Sequence, residues 1–379
     1  MAGRAGSMRR AVWMMFAAVL PALAGCNGFF VPETSSGGSS SGGTTGNRVY
    51  VANSLTNNVA GFTVGTNTLT AVTNSPLAVG YSPAAMVTTP NNAFLYVAGP
   101  GAIYVYTINS DGSLSASSQG AAVAIVNVAA LDVSPDGNWL FGLDTTTQVV
   151  DVFQINQSTG VLTSKASGTY TITNAAVVPK AIKVSPNGEL VVAALGTGGD
   201  VVFTLNTATG VLLSSTLLSL GTNSSDNALA IDSNTAFLYV ARSGTNGGLA
   251  VYTIGAAGAL NAINGSPFAT GAESFSVMLD TTGKYVYVAN RADGTISAFS
   301  IGTGSALTAL SGSPYASGLQ VSSLGVDSTG KYLLAAASGG SADLTMYSFD
   351  TAVPGKLNSV ATTTTGTDPT GAVALAMTH

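Results

Sequence analysis

The sequence predicts an all-β fold, a ring of seven four-stranded antiparallel blades, on three observations. Residues that favour helix surfaces are scarce, one strand motif recurs at near-constant spacing, and the two ends of the chain carry complementary parts of one repeat.

Composition sets the class. Of 379 residues, 46% are apolar, only 8% are charged and 46 are glycine. Glutamate occurs only at Glu33, Glu189 and Glu273. Helices rely on Glu, Lys, Arg and Gln at solvent-facing positions, whereas the abundant Thr, Ser, Val and Gly suit short strands and tight turns.

The mean hydropathy is +0.40, yet only one apolar run is long, from Ala11 to Gly25. It is shorter than the ~18–20 residues a membrane-spanning helix needs. It follows Arg4, Arg9 and Arg10 and ends in small residues, the layout of a secretory signal peptide. The run closes on "LAGC", Leu23 to Cys26, and Cys26 is the sole cysteine. This tetrapeptide resembles a bacterial lipobox, which implies cleavage before Cys26 and lipidation of its thiol and new amino group. By the same resemblance, Asn27 after the cysteine implies the outer membrane rather than the inner one. From Thr34 to Gly46 the sequence "TSSGGSSSGGTTG" reads as a flexible tether. Three segments are therefore expected: a signal over 1–25, a lipidated tether over 26–46, and the folded ring over 47–379. Removing the signal takes three of the 12 basic residues and none of the 17 acidic ones, so the mature charge is 9 − 17 = −8. Such a chain lacks the basic footprint that phosphate backbones require, which excludes nucleic acid.

The repeat comes next. Aligned on mid-strand, the copies are "GNRVYVAN" at Tyr50, "NAFLYVAG" at Tyr96, "GNWLFGLD" at Phe141, "GELVVAAL" at Val192, "TAFLYVAR" at Tyr239, "GKYVYVAN" at Tyr287 and "GKYLLAAA" at Leu334. The intervals run from 45 to 51 residues, and blades of four strands have a period of ~40–50. In each copy from the second onward an apolar inner strand leads to a turn with Thr89, Ser134, Ser185, Asp232, Asp280 or Asp327, whose short oxygen-bearing side chains suit turns. The motif itself is the second strand. A third strand such as "LAVYTI" and a hairpin such as "TATGVL" complete the unit. The first repeat starts directly at its second strand, and its missing inner strand is found in "TDPTGAVALAMT" at the C-terminus. The last strand is thus expected to complete the first blade and close the ring, which removes exposed sheet edges.

The pattern "LYVAN…I.VY.I…TG.L" resembles that of the lactonase-family and YVTN-type seven-bladed propellers, the group that includes bacterial 6-phosphogluconolactonase-like proteins. The resemblance spans Gly46 to His379 and implies lactone chemistry by charged and imidazole groups at the central opening. Here the only histidine is His379, beyond the closing strand, so such chemistry would rest on carboxylates and guanidinium groups.

In a ring of this kind, the loops into the inner strands and those joining second to third strands share one rim. The first set holds Tyr81, Lys180, Asp226, Glu273, Gln320 and Asp368; the second holds Asn53, Asp144, Asp200, Arg242, Arg291 and Asp293. Lactone hydrolysis needs a base for water and donors for an oxyanion. Glu273 is the candidate base, with Arg242 and Arg291 as clamps for carboxylate or phosphate; the plainer alternative pairs Arg291 with Asp293. Lys180, Asp144, Asp200, Asp226, Tyr81 and Gln320 are candidate ligand contacts. Convergence of Asp144, Asp200, Asp226 and Asp368 would suit a hard cation. No calcium-loop spacing, zinc cluster, phosphate loop or Ser-His-Asp set appears in the blades, so no cofactor and no metal are expected. Tyr50, Tyr96, Tyr239, Tyr285 and Tyr287 on second strands, Tyr106, Tyr252 and Tyr347 on third strands, and Trp139 are expected between blades. Tyr81, Phe268 and Tyr315 lie nearer the blade ends, where a ligand surface would form.

The function expected first is a lipid-anchored, monomeric scaffold of the cell envelope, on the outer membrane or its periplasmic face. Its rim loops would bind a carbohydrate-like small molecule or an envelope protein. The alternative is hydrolysis of a sugar lactone, and a third reading is a purely structural surface-layer component without a ligand pocket.

Overall fold

A computed structural model of the protein describes residues 46–379 except 171–176, 222, 341 and 368–369. The signal segment, Cys26 and most of the tether fall outside these residues, as does Asp368. Each repeat forms its own antiparallel sheet, giving seven blades of four strands, three of which carry an extra two-residue strand. Among the described residues there is no α-helix, only three short 3-10 turns.

Blade 1 runs outward from Ala372–Met377 through Arg48–Asn53 and Asn58–Gly65 to Thr68–Ala71. The two termini therefore share a sheet, in register from Val49 opposite Met377 to Asn53 opposite Ala372. The Arg48 N–H adds a 2.8 Å bond to Thr378 Oγ1. Closure is thus made by main-chain pairing, as the complementary termini require.

The turn residues reach further than two positions. Asp280 Oδ1 accepts from the N–H groups of Lys284 and Tyr285 at 2.8 and 2.7 Å, and Asp327 does the same for Lys331 and Tyr332. Ser134 Oγ takes the Trp139 N–H and Ser185 Oγ the Leu190 N–H, both at 2.9 Å. One short acceptor thus satisfies the first amides of the second strand and fixes where it starts. Ser75, Ser266 and Ser313, in the "NSP" and "GSP" segments, accept from the N–H groups of Gly61, Val251 and Ala298 on third strands, tying those outer segments to their blades.

The core lies between blades. Seven apolar clusters each join residues of two neighbouring blades, one for each interface around the ring. Burying a side chain such as Leu140 or Leu238, both fully inaccessible, stabilises by about 1.5–3 kcal/mol. A polar latch accompanies the packing. Tyr50, Tyr96 and Tyr287 donate their hydroxyls to the carbonyls of Gly112, Gly160 and Gly355 in the next blade's hairpin, at 2.8, 2.8 and 2.7 Å. Trp139 Nε1 donates to the Thr207 carbonyl at 2.8 Å, and Tyr239 bonds Ser305. The hairpin must come close: at Gly210, with φ +74°, a Cβ would stand 2.5 Å from the Trp139 ring.

Inner and second strands share a recurrent irregularity. Blades 1, 3, 5, 6 and 7 each break register at the same rim end, near Asn53, Asp144, Asp226, Ser274 and Val321. Such bulges redirect side chains, and this is the rim on which the candidate site residues lie.

Candidate functional site

Three strand ends of blade 5 and one of blade 4 build the most charged part of the rim. Inner strand Ser224–Ile231 pairs with second strand Phe237–Gly244 so that Asp226 faces Arg242 directly, and Asn227 is the extra, bulged residue. Asp226 grips the guanidinium side-on, Oδ1 to Nε at 2.6 Å and Oδ2 to Nη2 at 2.8 Å. Nη2 also donates to the Tyr252 hydroxyl at 2.8 Å, from third strand Gly248–Ile254. Arg242 is 8% exposed and Asp226 fully buried. Burial alone would lower the Arg242 guanidinium, but the bonds and charge of Asp226 carry it above its ordinary value. Among the described residues, Nη1 takes no partner, and Arg242 lines a cleft of about 250 Å³ with Thr245, Thr270 and Glu273.

Glu273 enters that cleft from the loop before the blade 6 inner strand, Ser274–Leu279. Its backbone is left-handed, φ +57°, a conformation costly for a non-glycine residue and enriched at functional sites. The Arg291 N–H holds the Glu273 carbonyl at 2.9 Å, and Nη1 of Arg291 stands 3.7 Å from Oε1. Arg291 also lies over the Phe275 ring at 4.6 Å; Phe275 is the bulged residue of that blade. The plainer pairing of Arg291 with Asp293 is not found: Asp293 Oδ2 accepts the Ala272 N–H at 2.6 Å instead. Asp293 therefore stiffens the loop that presents Glu273.

Asp200, first residue of the blade 4 third strand, meets Asp226 across the blade interface. It is fully buried, and neither of its oxygens finds an N–H or O–H donor among the described residues. Burial first, then the charge and closeness of Asp226, push the Asp200 carboxyl well above the carboxylate range.

The other candidates are not brought here. Asp144 Oδ1 is bound by the N–H groups of Thr146 and Thr147, both at 2.6 Å, so it closes its own loop. Tyr81 stacks on Tyr104 at 4.1 Å and bonds the Tyr106 hydroxyl at 3.0 Å, so it is packing. Gln320 is exposed in blade 7, with Ser338 on its Oε1. Lys180 is partly buried at the approach to the blade 4 inner strand, without an ion pair among the described residues. His379 contacts Thr88 and Asn92 at the opposite rim. No three metal-binding side chains come together among the described residues: Asp144 stays apart from Asp200 and Asp226, whose company is Arg242. A larger cleft of about 660 Å³, also at the opposite rim between blades 4 and 5, has Glu189 as its sole ionisable lining group.

Sequence reasoning missed Tyr252 and Phe275 as partners of the two arginines. The sixteen-residue separation of Asp226 and Arg242 could have suggested a cross-strand pair, but the bulge that sets its register left no mark in the sequence.

A model of the lactonase family described as a seven-bladed β-propeller matches residues 116–217 and 196–312. Together these span 116–312, or 197 of 379 residues, just over half. No curated protein sequence matches the chain. Among solved structures, a putative 6-phosphogluconolactonase from Bacteroides fragilis is similar at 17% identity and TM-score 0.69, covering 88% of this chain and 98% of its own. One from Bacteroides uniformis gives 16% identity and TM-score 0.71, covering 88% and 99%. The periplasmic gluconolactonase of Pseudomonas aeruginosa gives 16% and 0.65, again covering 88% and 99%. At these identities the structures share the fold.

Proposed function

The chain belongs to the seven-bladed β-propeller lactonase family, and from that premise we propose that it hydrolyses a sugar lactone in the cleft between blades 5 and 6. The observation that carries this reading is the presence of Glu273 and Arg242 on one cleft. Glu273 takes a proton from water as the water oxygen adds to the lactone carbonyl carbon. The oxyanion that forms is held by Arg242 Nη1, fixed in advance by Asp226 and Tyr252. The tetrahedral centre then collapses, the ring C–O bond breaks, and the proton on Glu273 passes to the leaving ring oxygen, giving the open hydroxy acid. Arg291, partly exposed beside Glu273, is the group suited to an anionic substituent of the substrate, since guanidinium binds phosphate and carboxylate bidentately.

Purified residues 47–379 assayed on aldonolactones with and without a 6-phosphate, corrected for spontaneous opening, test this. Glu273→Gln is expected to lower kcat by about 10²–10⁴-fold, and Arg291→Ala to raise KM for the phosphorylated lactone more than for the neutral one. Rates equal to the buffer blank across the panel would overturn the reading.

One observation favours the second reading, a binding scaffold. Leu55, Ile125, Val178 and Leu319 are 64%, 80%, 40% and 64% exposed, the first three on loops and Leu319 at the start of the blade 7 inner strand of the same rim, and exposed apolar side chains, where they form a contiguous patch, mark interaction sites. The Arg-flanked apolar run and the "LAGC" segment support a cell-envelope location for either activity, with Cys26 as the anchor. A Cys26→Ala protein that still partitions with membranes would remove that support.

A further inference from the structure

We propose that Asp200 is a positioning residue for Arg242: protonated, it donates to Asp226 and so braces the guanidinium from the neighbouring blade with Nη1 turned to the cleft. The inference rests on the lactonase reading of that cleft.

The geometry leads there step by step. The Asp226 N–H bonds the Gly196 carbonyl of blade 4 at 3.2 Å, so the two blades already touch at this point. Both Asp226 oxygens are engaged by Arg242, and each retains a lone pair. Asp200 sits beside them, fully buried, with no other donor or acceptor among the described residues. The charged and titratable groups facing it are Asp226, Arg242 and Tyr252. With one carboxylate, one guanidinium and one neutral acid, the buried cluster carries no net charge. If Asp200 ionised, a second negative charge would stand against Asp226 in a site without solvent. The guanidinium would then be drawn toward two carboxylates, away from the cleft.

The sign of the pH dependence follows. Asp200 binds its proton more tightly in the folded protein than the ordinary carboxylate value of 3.8. Its favourable contribution to folding is complete below that value. It is lost as pH rises through the window up to the elevated folded-state titration. Activity that depends on the bracing falls on the same alkaline side.

The test compares the full chain with Asp200→Asn, which keeps a donor and cannot ionise, and Asp200→Ala, which removes the donor. An infrared difference spectrum at neutral pH, wild type minus Asp200→Asn, should contain the carbonyl band of a protonated carboxylic acid. Turnover of D-glucono-δ-lactone over pH should fall roughly 10- to 100-fold in Asp200→Ala. Asp200→Asn should recover most of that loss and shed the alkaline decline of the wild type. A missing acid band overturns the shared proton, whether or not any lactone is opened. A band present in a wild type that opens no lactone leaves the proton in place and overturns the hydrolase reading with the catalytic role built on it. Activity and pH profile unchanged in both variants would reduce Asp200 to a structural residue.

Discussion

Asp343 and Asp200 are both buried aspartates at the rim ends of third strands, in blades 7 and 4, and they meet the cost of burial differently. Asp343 Oδ2 accepts the Thr365 N–H at 2.7 Å and its hydroxyl at 3.2 Å, while Oδ1 accepts the Thr370 hydroxyl at 2.9 Å. Thr365 in turn bonds Asn53, so this carboxylate clasps the last blade to the first. Asp200 has none of these donors and meets Asp226 instead. A carboxylate surrounded by donors needs no further explanation than the closure it makes. One left only with another carboxylate stores a proton, and in this molecule it stores it behind the arginine of the cleft.

Breaking the two arrangements should separate them. Asp226→Ala leaves the Arg242 charge buried and is expected to be the most damaging change, about 3–5 kcal/mol in denaturant unfolding. A loss below about 1 kcal/mol would mean that Asp200 gives up its proton and takes the guanidinium over, which would sharpen the comparison rather than blur it. Asp343→Ala strands the Thr365 N–H and the Thr370 hydroxyl, and about 2–3 kcal/mol is expected. A loss below about 1 kcal/mol in the same unfolding would mean that other groups take over those donors. The smallest effect, about 1 kcal/mol, is expected for Tyr287→Phe, which removes one bond to the Gly355 carbonyl but keeps the packed ring. A neutral result there would show that the interblade latch adds nothing beyond ring packing.

Much of the fold was legible because it repeats. Tyr50, Tyr96, Tyr239 and Tyr287 fall at one position of the period, and all four are buried against the next blade. The complementary termini gave the closing strand in blade 1. The site was legible only in part. Rim loops collected Glu273, Arg242 and Arg291, since their place in the repeat follows from strand order. Asp144 is expected as a ligand contact from its place on the rim, yet the Thr146 and Thr147 that follow it supply the local bonds that close its own turn. Tyr81 is expected at a ligand surface from its place near a blade end, but the room that Gly99 leaves is filled by the Tyr81 ring itself, and sequence does not say what fills such a space.

The sequence by itself determined the number of blades, the turn residues that start each second strand, and the ring closure. These depend on local hydrogen bonding and on a period, which the order of residues states directly. Only the tertiary structure decided which rim charges meet. Whether Asp226 faces Arg242, and whether Asp200 lies beside it, turns on a one-residue bulge and on the approach of one blade to the next. A displacement of a few ångströms there changes a solvated carboxylate into a buried acid, because the energy of a charge depends on its surroundings far more steeply than on its position along the chain.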